Sequence, residues 1–289
     1  MAEPVPHGTV PVSVMIFTLD EEIHLPSCLA SLAWTDDVIV VDSFSTDRTP
    51  EICRAAGLRF FQHCFEGFGQ QRMWALERTQ PKYEWILILD ADERATPELA
   101  NELAEVIPSV SAAVGAFRIK RRFFMWGRWL RYSSLYPTWV VRLVRQGRVQ
   151  YVNRGHAETQ YVSGEVRELR NHLIDENLKG IDEWFERHNR YSTREAEFEL
   201  QQEARRPRLT DLLSSDPMVR RAALKRVAAR APFRSCMYFL YSYVLRGGFR
   251  DGRDGLMFCA LKSEYQRMIV VKKYDTRKRR RAPGDGGDR

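Results

Sequence analysis

The chain has 289 residues, 44% hydrophobic and 29% charged, which allows one good core with a smaller attachment and excludes an intrinsically disordered chain. Its five cysteines form no CxxC pair and no zinc-like spacing with histidine, which argues against a disulfide scaffold or zinc module and suits a reducing cytoplasm. The net charge of +7 hides a split: residues 1–105 hold 7 Lys and Arg against 18 Asp and Glu, a net of −11 that leaves +18 for the rest, so an acidic front suited to metal precedes a basic rear suited to phosphate or anionic lipid.

Residues 1–10 read as a tail, with Glu3, two prolines and no apolar stretch of a signal peptide. Four short apolar runs follow, Val12–Phe17, Val38–Val41, Leu58–Phe61 and Trp85–Leu89, and such runs predict strands buried on both faces of a parallel sheet. Between them, Pro26–Leu32, Pro50–Ala56 and Gly69–Arg78 predict covering helices. Thr49-Pro50-Glu51 and Thr96-Pro97-Glu98 each set a capping hydroxyl before a proline fit for a first helical turn. The repeated βαβ pattern predicts an open α/β sheet, whose ligands sit beyond the carboxyl ends of the strands.

Further along, Ala116–Phe124 and Thr138–Val144 predict strands, and Gln146-Gly147 a turn into Val149–Val152. A long helix is expected after Asp175, with Ile181, Trp184, Phe185 and His188 at helical spacing toward Gln202, and a second, arginine-rich one over Met218–Arg230. The aromatic stretch Phe233–Phe249 and the polybasic Lys272–Arg281 follow. The longest apolar run here, Ser235–Leu245, is too short to cross a bilayer. The expected division is a catalytic domain over 11–176, a helical acceptor or membrane-docking region over 177–275, and a basic, disordered tail over 276–289.

Two acidic strand ends carry the chemistry. Asp42, in Val41-Asp42-Ser43-Phe44-Ser45-Thr46-Asp47-Arg48-Thr49, is placed to accept hydrogen bonds from a nucleoside base or ribose, while Ser45, Asp47 and Thr49 suit closure of the turn. Asp90 and Asp92, in Leu89-Asp90-Ala91-Asp92-Glu93, follow the buried WILIL run. Two carboxylates one residue apart can share a hard divalent ion, Mg²⁺ or Mn²⁺, with a diphosphate, and offset charge on a leaving group. Glu93 suits a structural role.

The sequence resembles the family 2 glycosyltransferases. Phe17-Thr18-Leu19-Asp20-Glu21-Glu22 stands where that family has a T-x-N-E-E type nucleotide loop, VDSFSTDRT matches VDSGSTDGT, and LDADE matches the metal motif. FEGFGQQRMWA (65–75), Tyr136-Pro137 with Val141-Arg142-Leu143, and Arg246-Gly247-Gly248-Phe249 with Asp251-Gly252 are similar to the lipopolysaccharide core β-glucosyltransferase subgroup. Asp20 replaces the family's asparagine and Phe44 its glycine.

This resemblance implies a GT-A type, Rossmann-like, mostly parallel sheet with a basic, helical C-terminal region. It implies an inverting, metal-dependent transfer of a hexose from a nucleotide donor, UDP-linked, to a lipopolysaccharide-core or other lipid-linked glycan. Thr18, Asp20, Glu22, Asp42, Arg72 and Asp90 are then the donor-site residues, with Asp90 and Asp92 the metal ligands. An inverting transfer needs a base for the acceptor hydroxyl, and Gly155-His156-Ala157-Glu158 resembles an acceptor-site H-E element, which makes Glu158 the base and His156 a positioning group, with His172 and Asp175 in reserve. Lys120, Arg121 and Arg122 are candidates for an acceptor phosphate.

Basic residues interleave with apolar and aromatic ones from Arg220 to Tyr243, which suits an interfacial helix on anionic lipid. The protein is therefore expected at the inner face of the cytoplasmic membrane. The same face could instead pack on the catalytic domain or a twin subunit; no nucleic-acid-binding signature is present. The alternatives are a polyprenyl-phosphate acceptor, whose ionised oxygen needs no base, and a sugar-phosphate nucleotidyltransferase, whose Gly-rich, lysine-bearing loop TLDEE lacks.

Overall fold

The computed structural model describes residues 9–154, 157–202, 220, 223 and 233–281, in two compact units, one running to Asn153 and resuming over Ala157–Gly180, the other from Ile181 onward.

The first unit is built on one large sheet. Its elements are β1 (Val12–Thr18), α1 (Leu25–Ala30), β2 (Val38–Asp42), α2 (Thr49–Ala55), β3 (Arg59–Gln62), α3 (Phe68–Arg78), β4 (Trp85–Asp90), β5 (Glu93–Ala95), α4 (Pro97–Val106), β6 (Val114–Met125), β7 (Arg128–Trp129), β8 (Thr138–Arg145), β9 (Val149–Arg154), β10 (Ala157–Val162) and β11 (Glu165–Glu176). The strand order is β3-β2-β1-β4-β8-β6-β11-β5, with β7 on β6 and a separate β9–β10 ribbon. β1 pairs in parallel with β2 and β4, β2 with β3, and β6 with β11, while β8 runs against both β4 and β6. Six strands therefore point the same way, and β8, β5 and β7 oppose them.

The apolar runs form strands because both sheet faces are covered. One face packs Val14, Ile16, Leu87, Leu89, Ile119 and Leu173 with Leu25, Leu99 and Leu103 from α1 and α4. The other packs Met15, Ile39, Val41, Ile86, Ile88 and Val144 with Ala75 of α3 and Tyr151 of β9. Each fully buried aliphatic side chain contributes about 1.5–3 kcal/mol on transfer from water.

Strand order reverses between β1 and β4, the switch point where such sheets leave a crevice. Register places Thr18 beside Asp42 and Phe17 beside Asp90 at that edge. β8 carries one residue more than β6 there: Leu143 pairs with Phe117 and Val141 with Arg118, which leaves Arg142 without a ladder partner. Such a bulge re-aims a side chain.

Several local expectations are corrected. β11 extends through Glu176, so the long helix starts at Gly180 and not directly after Asp175. The charge-rich sequence of β11 hid a strand whose register is fixed by pairing with β6. Thr96 caps α4 by accepting from Leu99 N, whereas Thr49 sits inside α2 and its hydroxyl accepts from Glu21 N at 2.8 Å.

The second unit contains α5 (Gly180–Gln202), α6 (Arg234–Leu240), a π-helical turn over Tyr241–Leu245, a 3-10 turn over Gly248–Asp251 and α7 (Gly252–Arg281). Glu199 of α5 holds the unit together by accepting from Arg234 at 2.7 Å and from the buried Lys273 at 2.8 Å. Lys272 Nζ donates to Asn189 Oδ1 and Thr193 Oγ1. Gly248 and Gly255 permit a close turn, since a Cβ on Gly255 would lie 2.3 Å from Gly248 O. α7 runs unbroken through the polybasic segment to Arg281, so 276–281 belong to a helix and not to the expected disordered tail; the rest of that tail, and the Met218–Arg230 block apart from Arg220 and Ala223, lie outside the described residues. Among the described residues no helix is long and apolar enough to cross a membrane.

Candidate active site

Two loops beyond the carboxyl ends of β1 and β2 are stitched reciprocally. Backbone N–H groups of Asp20, Glu21 and Glu22 donate to Ser45 Oγ, Thr49 Oγ1 and Asp47 Oδ2 at 2.8, 2.8 and 2.9 Å. In return Thr46 N donates to Asp20 Oδ1 at 2.7 Å and Arg48 N to Glu22 Oε2 at 3.1 Å. Asp20 and Phe44 both take positive φ, 54° and 62°. Asparagine and glycine are the residues best suited to that conformation, so Asp20 and Phe44 keep the backbone that the residues of T-x-N-E-E and VDSGSTDGT favour.

Asp42 is fully buried at the base of these loops. It accepts from Thr18 Oγ1 at 2.8 Å, Ser45 N at 2.9 Å and Gln62 Nε2 at 3.2 Å, and closely from Ser45 Oγ. Thr18 and Asp42, both expected at the nucleoside, are buried and hydrogen-bonded to each other, and they brace the two loops. The carboxylates of Asp20 and Glu22 remain at the surface of the loop pair but are engaged by backbone N–H groups.

The acidic rim at β4 is not a symmetric pair of aspartates. Asp90 accepts from Arg72 at 3.0 Å and closely from Arg142. Burial alone would raise its carboxyl, but Arg142 and Arg72 outweigh that and hold it below the usual carboxylate range. Glu93, fully buried, accepts from Arg142 at 2.8 Å and from Asp90 N at 3.0 Å, which makes it a structural counter-charge. Asp92 is different. Among the described residues its one hydrogen-bonding side-chain partner is Asn177, at 3.4 Å, and burial together with Asp175, Asp90, Glu93 and Glu21 pushes its carboxyl well above the ordinary value. Burial also pushes Asp175 up to about 6, against the pull of Arg121 at 2.9 Å.

Arg72 joins this rim to the β9–β10 ribbon. Only 4% exposed, it donates to Asp90 and closely to Glu158, and its guanidinium lies 5.7 Å from the ring centroids of Phe17 and Tyr151. The Tyr151 hydroxyl is buried there with no hydrogen-bond partner among the described residues. α3 approaches the ribbon closely enough for this because Gly69 lacks a Cβ; one would lie 2.9 Å from Asn153 N, and Gly69 N donates to Asn153 Oδ1 at 2.8 Å. The structure thus brings together Arg72, Asp90 and Glu158, with Asp92 near Asp90. His156 lies outside the described residues.

The surroundings of Asp92 fit a hard divalent cation. Several carboxylates crowd one place, two arginines already satisfy Asp90, and Asp92, whose carboxyl its acidic neighbours push up, is the acid that an added cation would relieve. Among the described residues no three His, Cys, Asp or Glu side chains are grouped to hold a metal alone, so protein oxygens would form part of a shell, as is usual for Mg²⁺ beside phosphates. His172 does not join the rim: it shares a 2.6 Å hydrogen bond with Tyr136, and burial, Arg122 and Lys120 lower it to about 4. Arg121, expected at an acceptor phosphate, is committed to Asp175 and Glu93. Arg142 and Tyr151 were missed as site residues, although an arginine inside the apolar TWVVRLVR strand is a sequence signal, because a buried charge needs a partner.

The family described as glycosyl transferase family 2 matches residues 13–166. The lipopolysaccharide core biosynthesis glycosyltransferase LpsC of Rhizobium meliloti is 28% identical over 273 residues, covering 92% of each chain. The undecaprenyl-phosphate 4-deoxy-4-formamido-L-arabinose transferase of Pseudomonas paraeruginosa is 30% identical over 132 residues, 41% of this chain and 38% of that protein. A solved structure of the mannosyltransferase PcManGT from Pyrobaculum calidifontis, in complex with GDP-Man and Mn²⁺, aligns over 94% of this chain and 89% of that one, with 14% identity and a TM-score of 0.49.

Proposed function

Because the chain belongs to glycosyl transferase family 2, we propose that it moves a hexose from a UDP-linked donor, with inversion, to a lipopolysaccharide-core or other lipid-linked glycan at the inner face of the cytoplasmic membrane. The observation that carries the proposal is the asymmetric rim: arginines neutralise Asp90, the carboxyl of Asp92 is pushed up by burial and its acidic neighbours with no such cation beside it among the described residues, and Arg72 connects Asp90 to Glu158.

In this reading the domain of 11–176 carries catalysis, and the donor lies at the switch point over the Asp20–Glu22 loop. Asp92, with Asp90 beside it, would hold Mg²⁺ or Mn²⁺, which supplies positive charge to the departing diphosphate. The diphosphate competes with the carboxylates for Arg72, a guanidinium suited to bidentate contact with phosphate. Glu158 released from Arg72 takes the acceptor hydroxyl proton as that oxygen bonds to the anomeric carbon and the bond from carbon to diphosphate oxygen breaks on the opposite face. Similarity to LpsC along nearly the whole chain supports a lipopolysaccharide-core acceptor.

A thermal-shift screen of nucleotide sugars with and without Mn²⁺, followed by a transfer assay, tests the proposal. A metal-dependent shift with one UDP-sugar and loss of transfer in Glu158→Gln with donor binding kept are expected. Near-normal turnover in that variant would remove Glu158 and favour a polyprenyl-phosphate acceptor, the reading supported by similarity to the undecaprenyl-phosphate transferase.

Membrane docking by the second unit is supported by apolar exposure around α6: Phe233 is 79% and Leu245 78% exposed, with Met237, Leu240, Val244 and Phe249 also open, and Arg246 follows Leu245 in the chain. A patch of that kind marks an interaction surface. Anionic liposomes should float the full chain and not a Phe233→Ser/Leu245→Ser variant.

A further inference from the structure

The mixed half of the sheet has a second concentration of charge that the rim does not use. On β6, Arg118, Lys120 and Arg122 alternate with Ile119, which faces the α1–α4 core, so the three cations share the opposite face, the side of α3, Tyr151 and Arg72. Trp139 of β8 stands directly opposite Lys120. Lys120 Nζ lies 5.3 Å and the Arg118 guanidinium 6.0 Å from the Trp139 ring, while those of Arg122 and Arg131 lie 5.1 and 5.6 Å from Trp129. Tyr136 packs edge-on to Trp129 at 5.3 Å.

This face has excess positive charge. Arg118 has Glu168 at 2.7 Å, but among the described residues Lys120 and Arg122 have no carboxylate in ion-pair range. Glu98 feels the field of Arg122 without pairing to it. Arg118 Nε, Arg122 Nε and Trp129 Nε1 are buried with no acceptor among the described residues, and buried donors in that state call for a partner. Unpaired cations beside flat indole rings match a ligand with an anionic group and a sugar ring, whose C–H face packs on aromatic carbon.

We propose that this face is the acceptor subsite and that it takes a phosphorylated saccharide, with Lys120 and Arg122 holding the phosphate and Trp129 and Trp139 lining the sugar. The proposal rests on the glycosyltransferase reading for the word acceptor, and it shares a sheet face with Glu158 and Arg72. It adds a substrate class, a glycan carrying phosphate near the accepting hydroxyl.

The test is binding by the full chain, read by tryptophan fluorescence and indole NMR signals, with glucose 6-phosphate as probe against glucose, inorganic phosphate and vesicles containing phosphatidylglycerol. Glucose 6-phosphate should saturate, bind roughly tenfold or more tightly than glucose, and weaken by a similar factor in Lys120→Gln/Arg122→Gln, as expected for charge-assisted hydrogen bonds. It should perturb the indole signals assigned through Trp129→Phe and Trp139→Phe, and bind equally in Asp92→Asn, a variant disabled for donor chemistry. Lys120→Gln alone serves if the double variant does not fold. Equal binding of glucose and its phosphate, binding unchanged in the glutamine variants, or Lys120- and Arg122-dependent binding to vesicles alone would each overturn the proposal. The last would assign the face to a lipid headgroup. Loss of the UDP-sugar thermal shift with phosphosugar binding intact would instead count against the donor reading.

Discussion

The two halves of the central sheet solve different problems. Across β3-β2-β1-β4 the interior is aliphatic and charge is confined to strand ends, as at Asp42 and Asp90. Across β8-β6-β11, arginines and carboxylates sit within the sheet itself, with Arg121, Arg142 and Asp175 around Glu93. Aliphatic burial makes a frame that tolerates no charge, whereas paired burial makes a frame whose rigidity depends on every partner staying in place. The first half holds the loops still; the second sets the electrostatic balance of the rim.

Substitutions in each half put that contrast to the test. The largest effect is expected from Arg142→Ala, which strands Asp90 and Glu93 with their counter-charge reduced and should cost about 3–5 kcal/mol of stability; urea denaturation measures it, and a loss below about 1 kcal/mol would mean the pairs are solvated. Asp92→Asn should lower transfer roughly 10²- to 10³-fold, in the range of losing one electrostatic group at a transition state. Because the fold holds the Asp92 carboxyl above its ordinary value, the same variant should be no less stable than the parent in metal-free buffer. Leu87→Ala, in the aliphatic half, should show the converse, a stability loss of about 2–5 kcal/mol with kcat preserved in the folded fraction.

Two smaller effects sharpen the comparison. Phe44→Gly relieves a positive φ on a residue that is 51% exposed and should stabilise by no more than about 1 kcal/mol, since strain relief of about 1–2 kcal/mol is offset by glycine's greater unfolded freedom. The smallest concerns pH. His172 has its folded value lowered to about 4 from an ordinary 6.5, so between these values the unfolded chain binds more protons and stability falls as pH drops from 6.5 toward 4. His172→Asn should flatten that slope in thermal melts, and an unchanged slope would place its origin elsewhere.

The same contrast governs what the sequence could disclose. VSVMIF and WILIL announced β1 and β4 because strands buried on both faces are continuously apolar, and the acids at their ends marked the rim. β11 was illegible, since EVRELRNHLIDE alternates nothing and owes its register to β6 and β5. The division of labour between Asp90 and Asp92 was equally hidden: it depends on Arg72 and Arg142, 18 and 52 residues away along the chain. Asp42 was correctly placed at a strand end, but no local pattern shows that Thr18, Ser45 and Gln62 would enclose it.

The extra residue in β8 links the two charged surfaces of this half. With Arg142 standing out of the ladder, Val141 faces Arg118 and Trp139 faces Lys120; if the strand closed up without that residue bulging, Trp139 would move to oppose the next position and turn to the other side of the sheet. One local irregularity thus sets the phase of both surfaces at once, so a slip of β8 by a single step would withdraw a guanidinium from the acids and an indole from the lysine together.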